Sequence, residues 1–161
     1  MNLELTNKIL VNETYRTELD NLRKLEKNRI FCCHDIQHFL DVARITMIIC
    51  KEKGVDVVPD LIYSAALLHD IGRTREYTEN IPHHIAGKET AEKILDETGC
   101  SHDMKNRIIS LIVNHRNQQN EKNSLESIFY IADKKSRLCF ACASKDICNW
   151  HEDQKNMNIE V

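Results

Sequence analysis

The stretch PDLIYSAALLHDIG, from Pro59 to Gly72, is the part of the chain whose reading decides the rest. Proline suits the first position of a helix, because its missing N–H would have been unpaired there anyway. Leu61, Ala65 and Leu68 repeat at helical spacing and give the segment a buried side, and Gly72 is a natural stop. The stretch therefore predicts a buried helix that ends on His69 and Asp70. Neighbours on a helix diverge by about 100°, so both can serve one centre only near a helix end, where the backbone bends away. Gly72 supplies that end.

Working outward, apolar residues spaced by three and four, with only four glycines and two prolines in 161 residues, predict an all-α chain. A helix from about Asp35 to Lys53 stops at Gly54 and repeats His38, Val42, Ile45 and Ile49 along one face. Before it, Leu3 to Asn28 reads as one long or broken surface helix with no chemistry. After Gly72 comes a polar loop, and Pro82 then opens a helix that has His83 and His84 in its first turn and reaches Gly99. Ser101 caps the next, where Met104, Ile108, Leu111, Ile112 and His115 share a face, and Ser124 caps the last, where Asp133 stands beside Leu125, Phe129 and Ala132. The polar tail, residues 151–161, is expected to fray. No repeat or domain boundary interrupts the chain, so 1–161 reads as one domain with its core in 31–137 and a cysteine-containing segment in 138–150.

A chain of this length buries nearly 70% of the surface its unfolded form exposes and needs no disulfide or partner to fold. Its longest apolar runs, Ala65 to Leu68 and Ile45 to Cys50, fall far short of the roughly 20 residues of a membrane-spanning helix. Met1 to Leu10 lacks the charged start, apolar stretch and cleavage site of a secretory signal, and an odd cysteine count of seven fits reduced thiols, so a cytoplasmic location is expected. With 22 basic and 25 acidic side chains interspersed, net charge −3, the chain has no electrostatic footprint for duplex nucleic acid. A small anionic substrate remains compatible.

The polar residues aimed at apolar helix faces are His38, His69 with Asp70, one of His83 and His84, His115, and Asp133, contributed by five helices. Imidazole and carboxylate are ligands for iron, manganese and zinc, and an unpaired buried carboxylate would cost several kcal/mol, on the order given by transfer data. A metal centre resolves that cost. Each histidine taken singly is more readily read as a hydrogen-bonded core residue; it is the set that points to a metal.

The doublet His69-Asp70-Ile71-Gly72, preceded by a helix bearing His38 and followed by Asp133 within IFYIADK, resembles the HD superfamily of metal-dependent phosphohydrolases over about Asp35 to Arg137. The resemblance implies an HD-type helical bundle of about six or seven helices in which His38, His69, Asp70 and Asp133 hold one metal. Two further histidines between the doublet and the last aspartate are similar to those of the two-metal branches, which include symmetric dinucleoside tetraphosphate hydrolases and cyclic-dinucleotide phosphodiesterases. His83 and His115 match those positions, His83 better than His84 because three residues separate it from Gly87. The chain lacks the extra motif of the cyclic-dinucleotide enzymes and the acidic pair that follows the doublet in alarmone hydrolases.

The resemblance thus implies a hydrolase with two divalent metals, iron or manganese favoured and zinc, nickel or magnesium compatible. It would cleave a phosphoester or phosphoanhydride of a nucleotide or related small metabolite. The metals, bridged by Asp70, would generate hydroxide and take up charge on the phosphoryl oxygens. Arg73 is the first choice for holding the phosphate, ahead of Lys88, Arg116 and Lys134. The competing readings are a regulatory module that binds nucleotide or metal without turnover, and a di-iron oxygenase on the same scaffold.

Cys139, Cys142 and Cys148 form a C-x2-C-x5-C run with Trp150 just beyond. Its spacing resembles that of iron–sulfur sites in some nucleases. A structural zinc or a cluster needs a fourth thiol, for which Cys32 or Cys33 is available, with Cys33 preferred; buried apolar packing explains the three thiols equally well. Cys50 and Cys100 are assigned to packing.

Overall fold

A computed structural model describes residues 3–118 and 121–160. Within them the chain is all-α, with eight α-helices and no strand. They are α1 (Glu4–Val11), α2 (Glu13–Leu25), α3 (Ile36–Lys53), α4 (Pro59–Leu68), α5 (Arg73–Glu79), α6 (His83–Glu97), α7 (His102–Asn114) and α8 (Leu125–Lys135). Two features raise the number above six or seven. The amino-terminal stretch breaks at Asn12, whose side chain accepts from the Tyr15 amide and starts a new helix. The segment read as a polar loop forms α5, which carries no apolar stripe of its own and buries only Thr74.

Helix α4 is the centre of the bundle. Leu61, Ile62, Ser64, Ala65, Ala66, Leu67 and Leu68 are all buried, as a helix apolar on every side must be, and α1, α3 and α7 pack around it. Each fully buried Leu or Ile side chain there contributes roughly 1.5–3 kcal/mol. Asp60, in the first turn of α4, accepts from the amides of Leu5 and Thr6 at 2.9 Å, satisfying the open amino end of α1 from a distant part of the chain. Asp35, Ser101 and Ser124 cap α3, α7 and α8, and Gly54 ends α3 in the left-handed conformation at φ 67°.

Helix α3 also packs on α8, which brings the first and last segments of the core together, while α6 lies against α5 and α7. The tail does not fray as expected: the Asn156 amide donates to the carbonyls of Lys134 and Arg137, and the Phe140 N–H donates to the Asn156 carbonyl. No helix among the described residues is long and apolar enough to cross a membrane.

Candidate metal centre

Asp70 lies in the four-residue turn between α4 and α5, so its side chain leaves the helix axis and points between neighbouring elements. Its two oxygens face different sets of imidazoles. Oδ2 is 3.1 Å from His69 Nε2, 3.6 Å from His38 Nε2 and 3.7 Å from His34 Nε2. Oδ1 accepts from Arg73 Nε at 2.9 Å and stands 3.4 Å from His83 Nε2 and 3.8 Å from His115 Nε2. Asp133, in the last turn of α8, places Oδ1 3.4 Å from His38 Nε2 and 3.7 Å from His69 Nε2. Ligand atoms of His38, His69, Asp70 and Asp133 fall within 4.8 Å of one another, and so do those of Asp70, His83 and His115.

Hydrogen bonds on the far side of each ring fix its tautomer. His69 Nδ1 faces the Ala66 carbonyl at 2.8 Å and His115 Nδ1 the Ile112 carbonyl at 2.5 Å. Carbonyls only accept, so Nδ1 carries the proton and Nε2 presents a lone pair. His83 Nδ1 donates to Glu76 at 2.9 Å, and His38 Nδ1 donates to Ser136 Oγ at 3.0 Å, whose own hydrogen goes to the Asp133 carbonyl. Four Nε2 lone pairs therefore converge on two carboxylates. His69 Nε2 and Asp133 Oδ1 are buried without a hydrogen-bond partner. Acceptors crowded on acceptors require positive charge, and this nitrogen and oxygen donor set suits divalent cations of the first transition row.

Without a cation, the nearest substitute is a proton. Burial lowers the His69 pKa, but Asp70 and Asp133 outweigh it and raise it to about 9. Burial pushes His115 down to about 3 and also lowers His83. Burial would raise Asp70, but His69 and Arg73 override it and hold the carboxyl well below its ordinary value; His38 and His69 do the same for Asp133.

His83, not His84, faces the cluster; the His84 ring lies 6.1 Å beyond it. Arg73 binds Asp70 and Glu76. Lys134 reaches Asp133 at 2.9 Å, and both it and Arg116 line the cavity over the site. Lys88 does not line that cavity and pairs with Glu92 at 3.9 Å on the outer face of α6.

Two residues were missed. His34 is buried against Asp70, and its Nδ1 is 2.5 Å from Glu26, so the amino-terminal stretch, expected to carry no chemistry, supplies the carboxylate that orients it. Burial lowers the His34 pKa to about 4. The spacing H-x3-H from His34 to His38 was the available signal. Arg137, one turn after Asp133, donates to His38 Nε2 and to the Cys33 carbonyl, both at 3.0 Å. Of the two cysteines before α3, Cys33, preferred on sequence as a fourth thiol, is exposed and does not join Cys139, Cys142 and Cys148 on the cavity wall, whereas its neighbour Cys32 does.

The cavity has a volume of about 230 Å³ and opens over His34, His83, His115 and Asp133. Seven Lys and Arg side chains line it, and Asp133 is the one carboxylate among the described residues that does so.

The chain is 39% identical over 153 residues to a Clostridium beijerinckii protein described only as uncharacterized, covering 95% of this chain and 96% of that one. It is 29% identical over 98 residues to Ribonuclease Y of Mycoplasma mycoides subsp. mycoides and 28% identical to Ribonuclease Y of Mycoplasma capricolum, in each case 61% of this chain but 17% of the relative. No solved structure matches. The HD domain family matches residues 35–138, the span that holds His38, the His69-Asp70 doublet, His83, His115 and Asp133, and the chain belongs to that family.

Proposed function

We propose that the protein is a metal-dependent phosphohydrolase that cleaves a phosphoester or phosphoanhydride of a nucleotide or related small metabolite. The family is largely one of metal-dependent hydrolases, and the observation that carries the reading further is the cavity's charge. A chain of net charge −3 gathers seven cations and one carboxylate around the opening of the His/Asp centre. Such a lining concentrates anions of phosphate type and repels cations.

His38, His69, Asp70 and Asp133 would hold one divalent cation and Asp70, His83 and His115 a second. Bound divalent cations supply water activation near neutral pH and neutralise charge on phosphoryl oxygens. The protein's own groups do the rest. Ser136, Glu76 and the carbonyls of Ala66 and Ile112 keep each Nε2 free of its proton. Arg137 and Lys134, beside Asp133, receive the phosphate, and Trp150 in the same wall offers a face to a base. Arg73, held by Asp70 and Glu76, positions Asp70 more than it reaches substrate.

The test is a metal-stripped preparation reloaded with manganese or ferrous iron and assayed on nucleotides, dinucleoside polyphosphates and a short single-stranded oligoribonucleotide, the last because of the Ribonuclease Y likeness. Phosphate or nucleotide release that falls more than about 100-fold in Asp70→Ala, with helical content retained, is expected. Absence of release with every metal and substrate would favour the binding module, and iron-dependent oxygen consumption without phosphate release the oxygenase.

A further inference from the structure

Cys32 sits in the segment leading to α3, and Cys139, Cys142 and Cys148 sit in the segment after α8; all four line the cavity over the His/Asp centre. The two segments are tied together, since Ser144 donates to the Ile30 carbonyl at 2.6 Å and Arg137 to the Cys33 carbonyl at 3.0 Å. Burial raises the Cys32 thiol above its ordinary pKa, and the thiols of Cys139, Cys142 and Cys148 add to the rise against Arg137. All seven cysteines are free thiols.

The segment around the three thiols has little core of its own. It consists of two three-residue turns of 3-10 helix, Cys139–Ala141 and Lys145–Ile147, and leaves Leu138, Phe140 and Ile147 exposed. Its inward side is sulfur and positive charge instead. Arg29, Arg137, Lys145 and Lys155 line the same cavity, Lys155 with its side chain only 5% exposed, and the backbone N–H of Trp150 donates to Cys148 Sγ at 3.5 Å. Cations and an N–H donor placed there would offset the negative charge that four metal-bound thiolates carry.

We propose that Cys32, Cys139, Cys142 and Cys148 hold an iron–sulfur cluster that forms one wall of the cavity. Spacing favours a cluster over a single zinc. Zinc bound at about 2.3 Å draws four sulfurs to roughly 3.8 Å from one another. Among the described residues, the groups whose ligand atoms come within 4.8 Å of one another consist of His and Asp, not Cys. All four thiols line the cavity of about 230 Å³, which leaves room for a multi-iron core with four cysteine ligands. The inference stands apart from the phosphohydrolase reading, because the cluster is counted by its sulfide, which the His/Asp centre does not bind.

The experiment is anaerobic purification of the full chain, reconstitution with ferrous iron and sulfide, and measurement of acid-labile sulfide and visible absorption. About two to four sulfides per chain are expected, the range for clusters with four cysteine ligands. Cys32→Ser and Cys142→Ser should fall to background, while Cys33→Ser and Asp70→Ala keep the sulfide. No labile sulfide in the reconstituted wild-type protein overturns the proposal, as does one zinc held by the thiols, or loss of sulfide in Cys33→Ser with retention in Cys32→Ser.

Discussion

His83 Nε2 lies 3.0 Å from His115 Nε2, while both Nδ1 atoms face acceptors, Glu76 and the Ile112 carbonyl. Two neutral rings so arranged oppose lone pair to lone pair, beside Asp70 Oδ1 at 3.4 and 3.8 Å. A divalent cation that binds only the folded chain converts this repulsion into attraction. At a hundredfold excess over its dissociation constant it stabilises by about 2.7 kcal/mol, which for a chain of this size raises the melting temperature by roughly 5–10 °C. Thermal unfolding in manganese and in a chelator measures the difference, and His115→Ala should shrink it and lower the metal content by one per chain. Coincident curves would mean that the cage holds no cation.

Gly72 and Gly87 touch, which seats the start of α5 on α6 and brings His83 to Asp70. A methyl group on Gly72 would overlap the His83 carbonyl and the Gly87 backbone, neither of which can swing aside. The φ of Gly72 is ordinary at −74°, so the need for glycine is one of space and not of backbone conformation. Gly72→Ala is expected to cost about 1–3 kcal/mol, as overpacking does, and to lower metal affinity by shifting His83. Gly99→Ala, where nothing lies within 4 Å but φ is +71°, should destabilise without touching metal content. Equal metal loss in both variants would break the link between Gly72 and His83.

Tyr15 is 1% exposed, and its hydroxyl has no hydrogen-bond partner. A buried unpaired hydroxyl carries a desolvation penalty of roughly 1–3 kcal/mol, and Tyr15→Phe removes it while keeping the ring in the core. The variant should melt at or above the wild-type temperature. A clear drop in chemical-denaturation stability would reveal a partner for the hydroxyl.

The long helices were legible because their apolar periodicity and caps agree: Asp35, Pro59, Ser101 and Ser124 each stand where a helix starts. Helix α5 was not, because it lies on α2 and α6 through polar residues and leaves no apolar stripe to read. In the site, His69, His83, His115 and Asp133 end or open apolar faces and so announce themselves. His34 precedes its helix, in a segment without periodicity, and its link to Glu26 depends on how α2 folds back, which residue spacing does not encode. The choice of Cys32 over Cys33 likewise turns on the side from which one segment meets the chain end.

Stability in the metal-free protein should peak near pH 6.5 and fall on both sides. His34 and His115 are held by burial at about 4 and about 3, below the unfolded value of about 6.5. Above pH 6.5 neither binds a proton in either state, so they contribute nothing. Below it the unfolded chain takes up protons that the fold refuses, so stability drops as pH falls toward 4 and 3, by up to about 1.4 kcal/mol per pH unit for each ring. Asp70 and Asp133, held below their ordinary values, add to the loss only as pH falls through the carboxylate range. His69 works in the opposite direction. Its pKa is raised to about 9, so its contribution is complete below about pH 6.5 and is lost as pH rises through 9. Urea unfolding of chelator-treated protein from pH 4 to 10 reads both limbs, and His69→Gln should flatten the alkaline one. Stability that climbs steadily from pH 6.5 to 4 would show that these imidazoles are not buried as neutral rings.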